Sequence, residues 1–361
     1  MSEFTKDEMS TFDRVSATLK GEPTDRICIG WLGRKETGLG LPQVTVADVV
    51  RDKNGILLYK GIKALTEKFK PDIITVTTYT TVEAVAIGTK DKYFKDQLPA
   101  PVEYVIKSPE DLDRVHIPDP RVDGDLPCIY NALRKVVRDF GNYAPISAGT
   151  VGPFSVAARI RGLWDISFDI MRRPWFVHDL LKFATDACIN IIEGWQSAGA
   201  TGFTSGAGSE TVLSPEHFRQ FCVPYERQYL QSAKKMGFLS YSRHICSGPS
   251  ADLVVDDMTR FGLDEMPTLV WGYYKDAATM AQKKKLFAEF SPCVAVGGTF
   301  RASDQLAYWS PSEIEAEVNR LLETCYPGGK YVHVADCCIP PATPLENIEA
   351  FVISAKKYRP K

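Results

Sequence analysis

The amino-acid sequence predicts an α/β protein built as a single (β/α)8 TIM barrel with an N-terminal helical lead-in. Short runs of apolar and β-branched residues alternate with longer segments of helical periodicity, and the alternation repeats about eight times. This pattern is typical of parallel βαβ units. An open, doubly wound sheet shares the pattern and is the alternative. The predicted strands span residues 27–31, 72–78, 144–150, 202–207, 238–246, 263–270, 293–299 and 331–337.

Local signals place the ends of several helices. Ser214 and Ser310 each precede a proline and then a glutamate, a combination that caps the first turn of a helix. We therefore expect helices over 214–236 and 310–324. Glycines follow three of the helical runs, where helices commonly end: Gly199, Gly237 and Gly328.

The chain carries no low-complexity linker that would divide it. We predict one domain over residues 1–361, in which residues 1–26 form the helical N-terminal extension and residues 9–20 its helix. The stretch 86–122 is rich in proline and charge and is predicted to be an excursion between the second and third strands.

Composition and charge restrict the class of partner. The 361 residues are 44% hydrophobic and 24% charged, with a formal net charge of −2. Such a chain has no long-range attraction for nucleic acid or an anionic membrane, and it contains no apolar run of membrane-spanning or signal-peptide length. Its nine cysteines are too sparse for a disulfide scaffold and suit reduced thiols in the cytoplasm. We expect a small-molecule substrate or a protein partner.

Two predicted strand ends carry candidate metal ligands. His244 and Cys246 lie two residues apart at the end of the fifth strand, so their side chains share one face. Cys337 lies at the end of the eighth strand, and a barrel brings both ends to one rim. One imidazole and two thiolates suit Zn²⁺ and leave a fourth position open for a substrate. The alternative is structural: a core histidine, with Cys337 and Cys338 as small buried side chains.

Other motifs add less. The chain has no G-x-S-x-G, no phosphate-binding G-x-x-x-x-G-K-S/T and no C-x-x-C. The Gly-rich stretch 204–210 lacks dinucleotide-fingerprint spacing and is predicted to be a strand-end loop facing the cavity. Its Glu210 is a candidate polar contact to a ligand.

Several segments together resemble the uroporphyrinogen decarboxylase superfamily, and within it the zinc-dependent corrinoid methyltransferases, including the methylcobamide:coenzyme M methyltransferases. The resemblance covers nearly the whole chain, and its segments are 14–26, 82–88, 152–157, 213–218 and 223–225. His244 and Cys246 stand where that branch has its first two zinc ligands, and Cys337 stands where it has the third. The resemblance implies a barrel enzyme that uses Zn²⁺ and a corrinoid (cobalamin) carried by a partner protein.

The sequence also departs from its relatives. The decarboxylases hold their tetracarboxylic substrate with an arginine-rich loop, whereas residues 30–36 here contain only Arg34. One guanidinium cannot replace a bidentate clamp, which disfavours decarboxylation. Ser247 follows Cys246 where the coenzyme M enzymes usually have glycine, and this change blurs the substrate assignment.

The resemblance implies transfer of a methyl group between a small substrate and cobalt. We favour a methoxylated aromatic donor, which is O-demethylation, because five aromatic side chains are expected at the rim: Trp31, Tyr79, Trp271, Tyr273 and Tyr274. The alternative is a methylcobamide-dependent thiol methyltransferase of the coenzyme M type. Uroporphyrinogen decarboxylation and a non-catalytic scaffold that docks a corrinoid protein, with Cys338 as a fourth zinc ligand, are further alternatives.

The remaining candidate residues for binding a cofactor or substrate are chosen because they follow predicted strands. Tyr79 and Glu83 lie just after the second strand, and Arg301 after the seventh could steady an anionic group. Asp336, beside Cys337, could orient a metal ligand by accepting a hydrogen bond.

Overall fold

The structure is a computed structural model that describes residues 7–30, 44–94, 99–246, 266–340 and 343–359. Eight of its strands overlap the eight predicted apolar runs, and two further short strands form a hairpin within residues 90–103. In chain order the strands are β1 Cys28–Ile29, β2 Ile74–Val76, β3 Lys90–Lys92, β4 Ala100–Glu103, β5 Ile146–Val151, β6 Gly202–Ala207, β7 Ser240–Ile245, β8 Thr268–Gly272, β9 Val294–Gly298 and β10 Val332–His333.

Eight parallel strands close into a barrel. Six of them pair in the order β2-β5-β6-β7-β8-β9, and β1 pairs with β10. Bridges between Val296 and Tyr331 and between Phe300 and Ala335 join β9 to the β10 segment. The Asp72 N–H donates to the Ile29 carbonyl at 2.8 Å and joins β1 to β2. The predicted (β/α)8 barrel is confirmed, and the open-sheet alternative is wrong.

Helices surround the barrel, apart from α1, which packs at its N-terminal end. They are α1 Thr11–Lys20, α2 Val46–Arg51, α3 Ile56–Phe69, α4 Val82–Ile87, α5 Leu126–Phe140, α6 Pro153–Arg161, α7 Leu163–Arg172, α8 Pro174–Ser197, α9 Pro215–Phe221, α10 Val223–Lys235, α11 Ala277–Phe290, α12 Gln305–Tyr308, α13 Pro311–Cys325 and α14 Leu345–Lys357. Within the described ranges, no helix is long and apolar enough to cross a membrane.

The predicted caps form as expected, with one correction. The Ser214 hydroxyl accepts a hydrogen bond from the His217 N–H, and Ser310 forms a reciprocal capping box with Glu313. The single helix predicted over 214–236 is wrong, because the chain forms α9 and α10 with a break at Cys222. Pro224 explains the break, since it has no N–H to donate to a preceding helical turn.

The N-terminal helix α1 packs under the barrel. Its Val15 and Leu19 belong to one apolar cluster with Leu269 and Val332, which lie in β8 and β10. The lead-in helix therefore closes the N-terminal end of the barrel.

A buried ionic network beside α1 fixes the start of β1. The Arg14 guanidinium contacts Asp25 at 2.7 Å and Asp72 at 2.6 Å, and Arg26 contacts Asp72 at 2.7 Å. The Asp72 carboxylate also accepts the Ile29 N–H at 2.8 Å. Each charge is paired inside the protein, as burial of ions requires.

The predicted excursion between the second and third barrel strands is present. It contains the antiparallel hairpin of β3 and β4 and a 3₁₀ helix, Pro109–Arg114.

Candidate metal centre

The ends of β7 and β10 bring the three predicted metal ligands together. His244 lies in β7, Cys246 follows that strand, and Cys337 follows β10. The Nε2 atom of His244 is 3.0 Å from the Cys246 sulfur and 3.8 Å from the Cys337 sulfur. Among the described His, Cys, Asp and Glu residues, these three form the group whose ligand atoms all lie within 4.8 Å of one another.

The 3.8 Å separation matches the edge of a tetrahedral zinc site, and the 3.0 Å separation is shorter than that edge. Bonds of about 2.3 Å to sulfur and about 2.0 Å to nitrogen imply edges of roughly 3.5–3.8 Å between ligand atoms in a tetrahedral zinc site. An N and two S donors also match the preference of zinc. Three protein ligands would leave one coordination position free.

The His244 ring is held in place by its neighbours. The Trp271 ring lies 4.2 Å from the His244 ring, centroid to centroid. A Cβ at Gly272 would come within 3.0 Å of His244 Nδ1 and 2.2 Å of the Ile245 carbonyl, so only glycine fits there. Nδ1 is buried, and no hydrogen-bond partner for it lies in the described part of the chain. The ring therefore presents Nε2 to the two sulfurs.

Behind the ligands, the opposite face of β7 carries a buried arginine. Arg243 Nη1 donates to Ser205 at 3.0 Å and to Glu226 at 2.6 Å. Its Nη2 lies 3.8 Å from Glu210. This network ties β7 to β6 and α10 and so fixes the strand that carries His244.

The ligand atoms face a cavity of about 90 Å³ that opens to solvent at the carboxyl ends of the strands. Five threonines share its polar lining: Thr75, Thr77, Thr80, Thr150 and Thr204. Trp271 and Cys338 also line it. Arg159 is the one lysine, arginine or carboxylate among the described lining residues. Sequence reasoning did not identify Arg159, which lies in α6 and not at a strand end.

Arg159 lies beside the ligand set. The position that a Cβ at Gly208 would take is 3.8 Å from Arg159 Nη2 and 3.9 Å from the Cys246 sulfur. The helix that carries Arg159 is anchored there, since the Thr89 hydroxyl donates to the Arg159 carbonyl at 3.2 Å.

The predicted ligand contacts Tyr79 and Glu83 lie outside the described lining of the cavity. Tyr79 is in the core, where its hydroxyl donates to Asp125 at 2.5 Å. Glu83 is buried behind the wall, and one of its oxygens accepts the Val151 N–H at 3.0 Å. Burial raises the pKa of Glu83, although backbone hydrogen bonding and the Arg159 charge oppose the rise.

Glu210 and Arg301 also lie outside that lining. Glu210 is buried and accepts a hydrogen bond from Ser155 at 2.8 Å, and burial raises its pKa. Arg301 is half exposed and pairs with Asp304 at 2.7 Å.

The orienting role of Asp336 stays a prediction, and its carboxylate does interact electrostatically with His244. Its carboxylate accepts the Ala302 N–H at 2.9 Å, and burial raises its pKa. The structure thus gives this carboxylate a backbone partner after β9.

Among the described members of the predicted aromatic wall, only Trp271 lines the cavity. Tyr274 is buried with its hydroxyl on the Val270 carbonyl at 3.1 Å, and Tyr273 packs against the core. Trp31 lies outside the described residues, as do Arg34 and Ser247.

Comparison with known proteins identifies the family. The model of the family "Uroporphyrinogen decarboxylase (URO-D)" matches residues 10–358. The chain belongs to this family. The resemblance noted in its sequence is therefore confirmed.

Proteins similar to this chain include enzymes of two kinds. A methylcobamide:CoM methyltransferase of Methanosarcina barkeri is 24% identical over 99% of both chains. A uroporphyrinogen decarboxylase of Anaeromyxobacter dehalogenans is 26% identical over 68% of both chains. Among solved structures, a methyltransferase from Methanosarcina mazei superposes with a TM-score of 0.81 at 22% identity, over 97% of this chain and 99% of that one. It shows the same fold.

Proposed function

We propose that this chain is a zinc-dependent methyltransferase that moves a methyl group from the cobalt of a corrinoid, carried by a partner protein, to a small thiol. The observation that carries the proposal is the cluster of one imidazole nitrogen and two cysteine sulfurs facing an open cavity. His244, Cys246 and Cys337 would hold the zinc ion. Bound zinc would lower the pKa of a thiol in the fourth position and so supply a thiolate.

The reaction balances as a displacement at carbon. The thiolate sulfur attacks the methyl carbon of methyl-Co(III), the C–S bond forms and the Co–C bond breaks. The electron pair of the broken Co–C bond stays on cobalt, which becomes Co(I). The thiol proton is released to solvent. The protein residues hold the sulfur at the rim, while Trp271 and the threonines shape the wall beside it.

The thiol acceptor replaces the methoxylated aromatic donor that the sequence favoured. That preference relied on an aromatic wall, yet in the described lining Trp271 is its one member. The names of two relatives that match over 99% of their length also include CoM, which is a thiol. These two observations support the thiol alternative better than O-demethylation.

The test is methyl transfer from methylcobalamin to a panel of thiols, followed by the visible spectrum of cobalt. We expect loss of the methyl-Co(III) spectrum that requires thiol and about one zinc per chain. A fully zinc-loaded chain that leaves methylcobalamin unchanged with every thiol would contradict the proposal. Conversion of uroporphyrinogen by the metal-free chain would instead favour the decarboxylase alternative.

The docking-scaffold alternative is tested at Cys338, which lines the same cavity. A closed four-ligand site predicts that Cys338→Ala loses zinc. Our proposal predicts that this variant keeps zinc, measured by elemental analysis after dialysis.

A further inference from the structure

The helix α7 exposes a stripe of large apolar side chains. Trp164, Phe168 and Met171 follow the helical spacing i, i+4 and i+7, so they share one face. They are 82%, 55% and 71% exposed, and Trp175 at the start of α8 is 58% exposed. No other helix in the described part of the chain exposes more than one large apolar side chain. We call these four residues the α7 patch.

The inner face of α7 already holds the helix on the protein. Ile166 and Ile170 are buried, and the buried Asp169 pairs with Arg161 of α6 at 2.9 Å. A surface helix normally has polar residues on its outer face, whereas the outer face of α7 is apolar as well. An apolar patch of this kind marks a surface that contacts another macromolecule.

The area of the α7 patch suits the centre of a protein–protein interface. At these exposures, two tryptophans, a phenylalanine and a methionine present on the order of 500 Å² of apolar surface. One side of a standard interface takes about 800 Å², with an apolar centre rich in aromatic residues and methionine inside a polar rim. Tyr104 extends the patch at the start of α7, since a Cβ at Gly162 would lie 3.0 Å from its ring. The patch and its rim therefore reach the area that a stable dimer needs.

The charges beside the patch are complementary to each other. Asp165 lies in the first turn of α7 and Arg172 in the last. They are two helical turns apart, so both lie on one flank of the stripe, with about 10 Å between them along the axis. Phe168 lies midway, and the Arg172 guanidinium is over its ring at 5.4 Å from the centroid. The Asp165 side chain is half exposed, so both charges are accessible at the surface.

We propose that this chain forms a homodimer in which the α7 helices of two protomers pack antiparallel across a twofold axis. Such an interface is isologous, so the α7 patch of one protomer covers the same patch of its partner. The antiparallel arrangement places the Asp165 of each protomer opposite the Arg172 of the other. Two opposite-charge pairs then flank the apolar centre around Phe168. The proposal does not depend on the proposed function.

The first test is the mass of the full chain in solution, measured by analytical ultracentrifugation over a range of concentrations. We expect twice the mass of one chain, with a dissociation constant in the micromolar range or below. Trp164→Ala removes one tryptophan from each protomer, hence two from the dimer. It should raise the dissociation constant at least about 100-fold, because tryptophans at interface centres contribute most to binding.

Tyr308→Ala is the matched control. It removes an aromatic side chain that is 83% exposed on α12, away from the α7 patch. The dissociation constant of the dimer should not change. Both replaced side chains are exposed, so circular dichroism should show an unchanged fold in each variant. A Trp164→Ala chain that dimerises as tightly as the wild type would overturn the proposal.

Charge reversal tests the antiparallel arrangement. Arg172→Asp and Asp165→Arg each place like charges opposite one another, and each should raise the dissociation constant roughly 10–100-fold. An equimolar mixture of the two variants should form heterodimers, because every reversed side chain then faces an opposite charge. Asp165 also contacts Arg161 at 3.3 Å, so circular dichroism checks that Asp165→Arg keeps its helices. A mixture that associates no better than the separate variants would overturn the antiparallel arrangement.

Two further outcomes would overturn the homodimer. One is a wild-type chain that stays monomeric at roughly 100 µM, far above the dissociation constant of a standard interface. The other is a monomer in which Trp164→Ala abolishes methyl transfer from a corrinoid protein and leaves transfer from free methylcobalamin intact. That result would assign the α7 patch to the corrinoid protein instead.

Discussion

The two ends of the barrel use polar residues in opposite ways. At the N-terminal end, Arg14 of α1 and Arg26 are buried and both pair with the buried Asp72, so these charges are neutralised within the protein. At the C-terminal end, His244 and Arg159 face a cavity that opens to solvent. The first arrangement stabilises the fold, whereas the second keeps polar groups ready for a ligand. In (β/α)8 barrels the N-terminal face commonly serves stability and the C-terminal face carries the active site.

The two ends also differ in how the protein shifts the pKa values of their carboxyl groups. Burial alone would raise the pKa of Asp25, but hydrogen bonds from Arg14 and from backbone N–H groups hold it below its usual range. Near the rim, burial raises the pKa of Glu83 and of Glu210. The carboxylate of Asp25 is therefore stabilised in its charged form, whereas burial disfavours the charged forms of Glu83 and Glu210.

The largest expected effect is at the C-terminal end. Cys337→Ser removes one of the three candidate ligands, and we expect zinc to be lost and methyl transfer to fall about a thousandfold or more, since metal activation is worth several kcal/mol. The free energy of unfolding of the metal-free chain should stay within about 1 kcal/mol. Elemental analysis, the cobalt spectrum and urea unfolding measure the three quantities. Full activity with a normal zinc content would remove Cys337 from the site.

Cys293→Ser is the matched control for that substitution. Cys293 is a half-buried cysteine that precedes β9 at the other end of the barrel. Its replacement should leave zinc content and transfer rate unchanged.

At the N-terminal end we expect the reverse outcome. Asp72→Ala leaves Arg14 and Arg26 buried without their shared carboxylate and should lower the free energy of unfolding by about 3–5 kcal/mol. Zinc per folded chain should not change. The control is Asp179→Ala, an exposed carboxylate paired with Lys182, which should cost less than about 1 kcal/mol. A loss of zinc without a loss of stability in Asp72→Ala would contradict the division between the ends.

The sequence predicted the barrel strands better than it predicted the residues that line the cavity. Alternating apolar runs predicted all eight barrel strands, because burial on both faces dictates their composition. Residue type, strand-end position and the family resemblance together singled out His244, Cys246 and Cys337 as candidate ligands, and the structure brings their ligand atoms within 4.8 Å of one another. Tyr79 and Glu83 also follow a strand, yet which way such side chains point depends on strand register and tilt, which no local pattern specifies.

Arg159 shows a different limit of sequence reasoning. It lies two residues before Arg161 in α6, and Arg161 pairs with Asp169 at 2.9 Å, away from the cavity. Both are arginines on one short helix, and only the orientation of α6 across the rim distinguishes them. The nearest available signal was the G-P-F-S segment at 152–155, which places a helix start directly after the strand β5.

A smaller effect is expected from Gly272→Ala, which changes no ligand. Gly272 has a φ of +131°, and a Cβ there would lie 3.0 Å from His244 Nδ1. Because the added Cβ would also lie 2.2 Å from the Ile245 carbonyl, we expect both the β7 backbone and the His244 ring to shift. The folded chain should lose stability, and its zinc affinity should fall roughly 10–100-fold, as for other groups that orient a metal ligand. Competition with a chelator measures the affinity.

Gly237→Ala provides the control for backbone strain. Gly237 has a φ of +86° and no atom within 4 Å of the added Cβ. It should cost stability, by about 1–2 kcal/mol, with no change in zinc affinity. Equal zinc affinities in the two variants would mean that Gly272 does not position His244.

The smallest expected effect is a change in how stability depends on pH, and it is confined to the N-terminal end. The pKa of Asp25 is depressed in the folded chain, so its contribution to stability is present above its ordinary value of 3.8 and is lost as pH falls through the folded pKa. Asp25→Asn removes this contribution. The variant should therefore lose less free energy of unfolding than the wild type between pH 5 and pH 3, in urea titrations at each pH. The raised pKa values of Glu83 and Glu210 have the opposite effect on stability, because the folded chain binds more protons than the unfolded chain. Their contribution to the free energy of unfolding therefore falls as pH rises above about 4.5. An identical pH dependence in Asp25→Asn and the wild type would mean that the network around Arg14 does not hold Asp25 in its charged form.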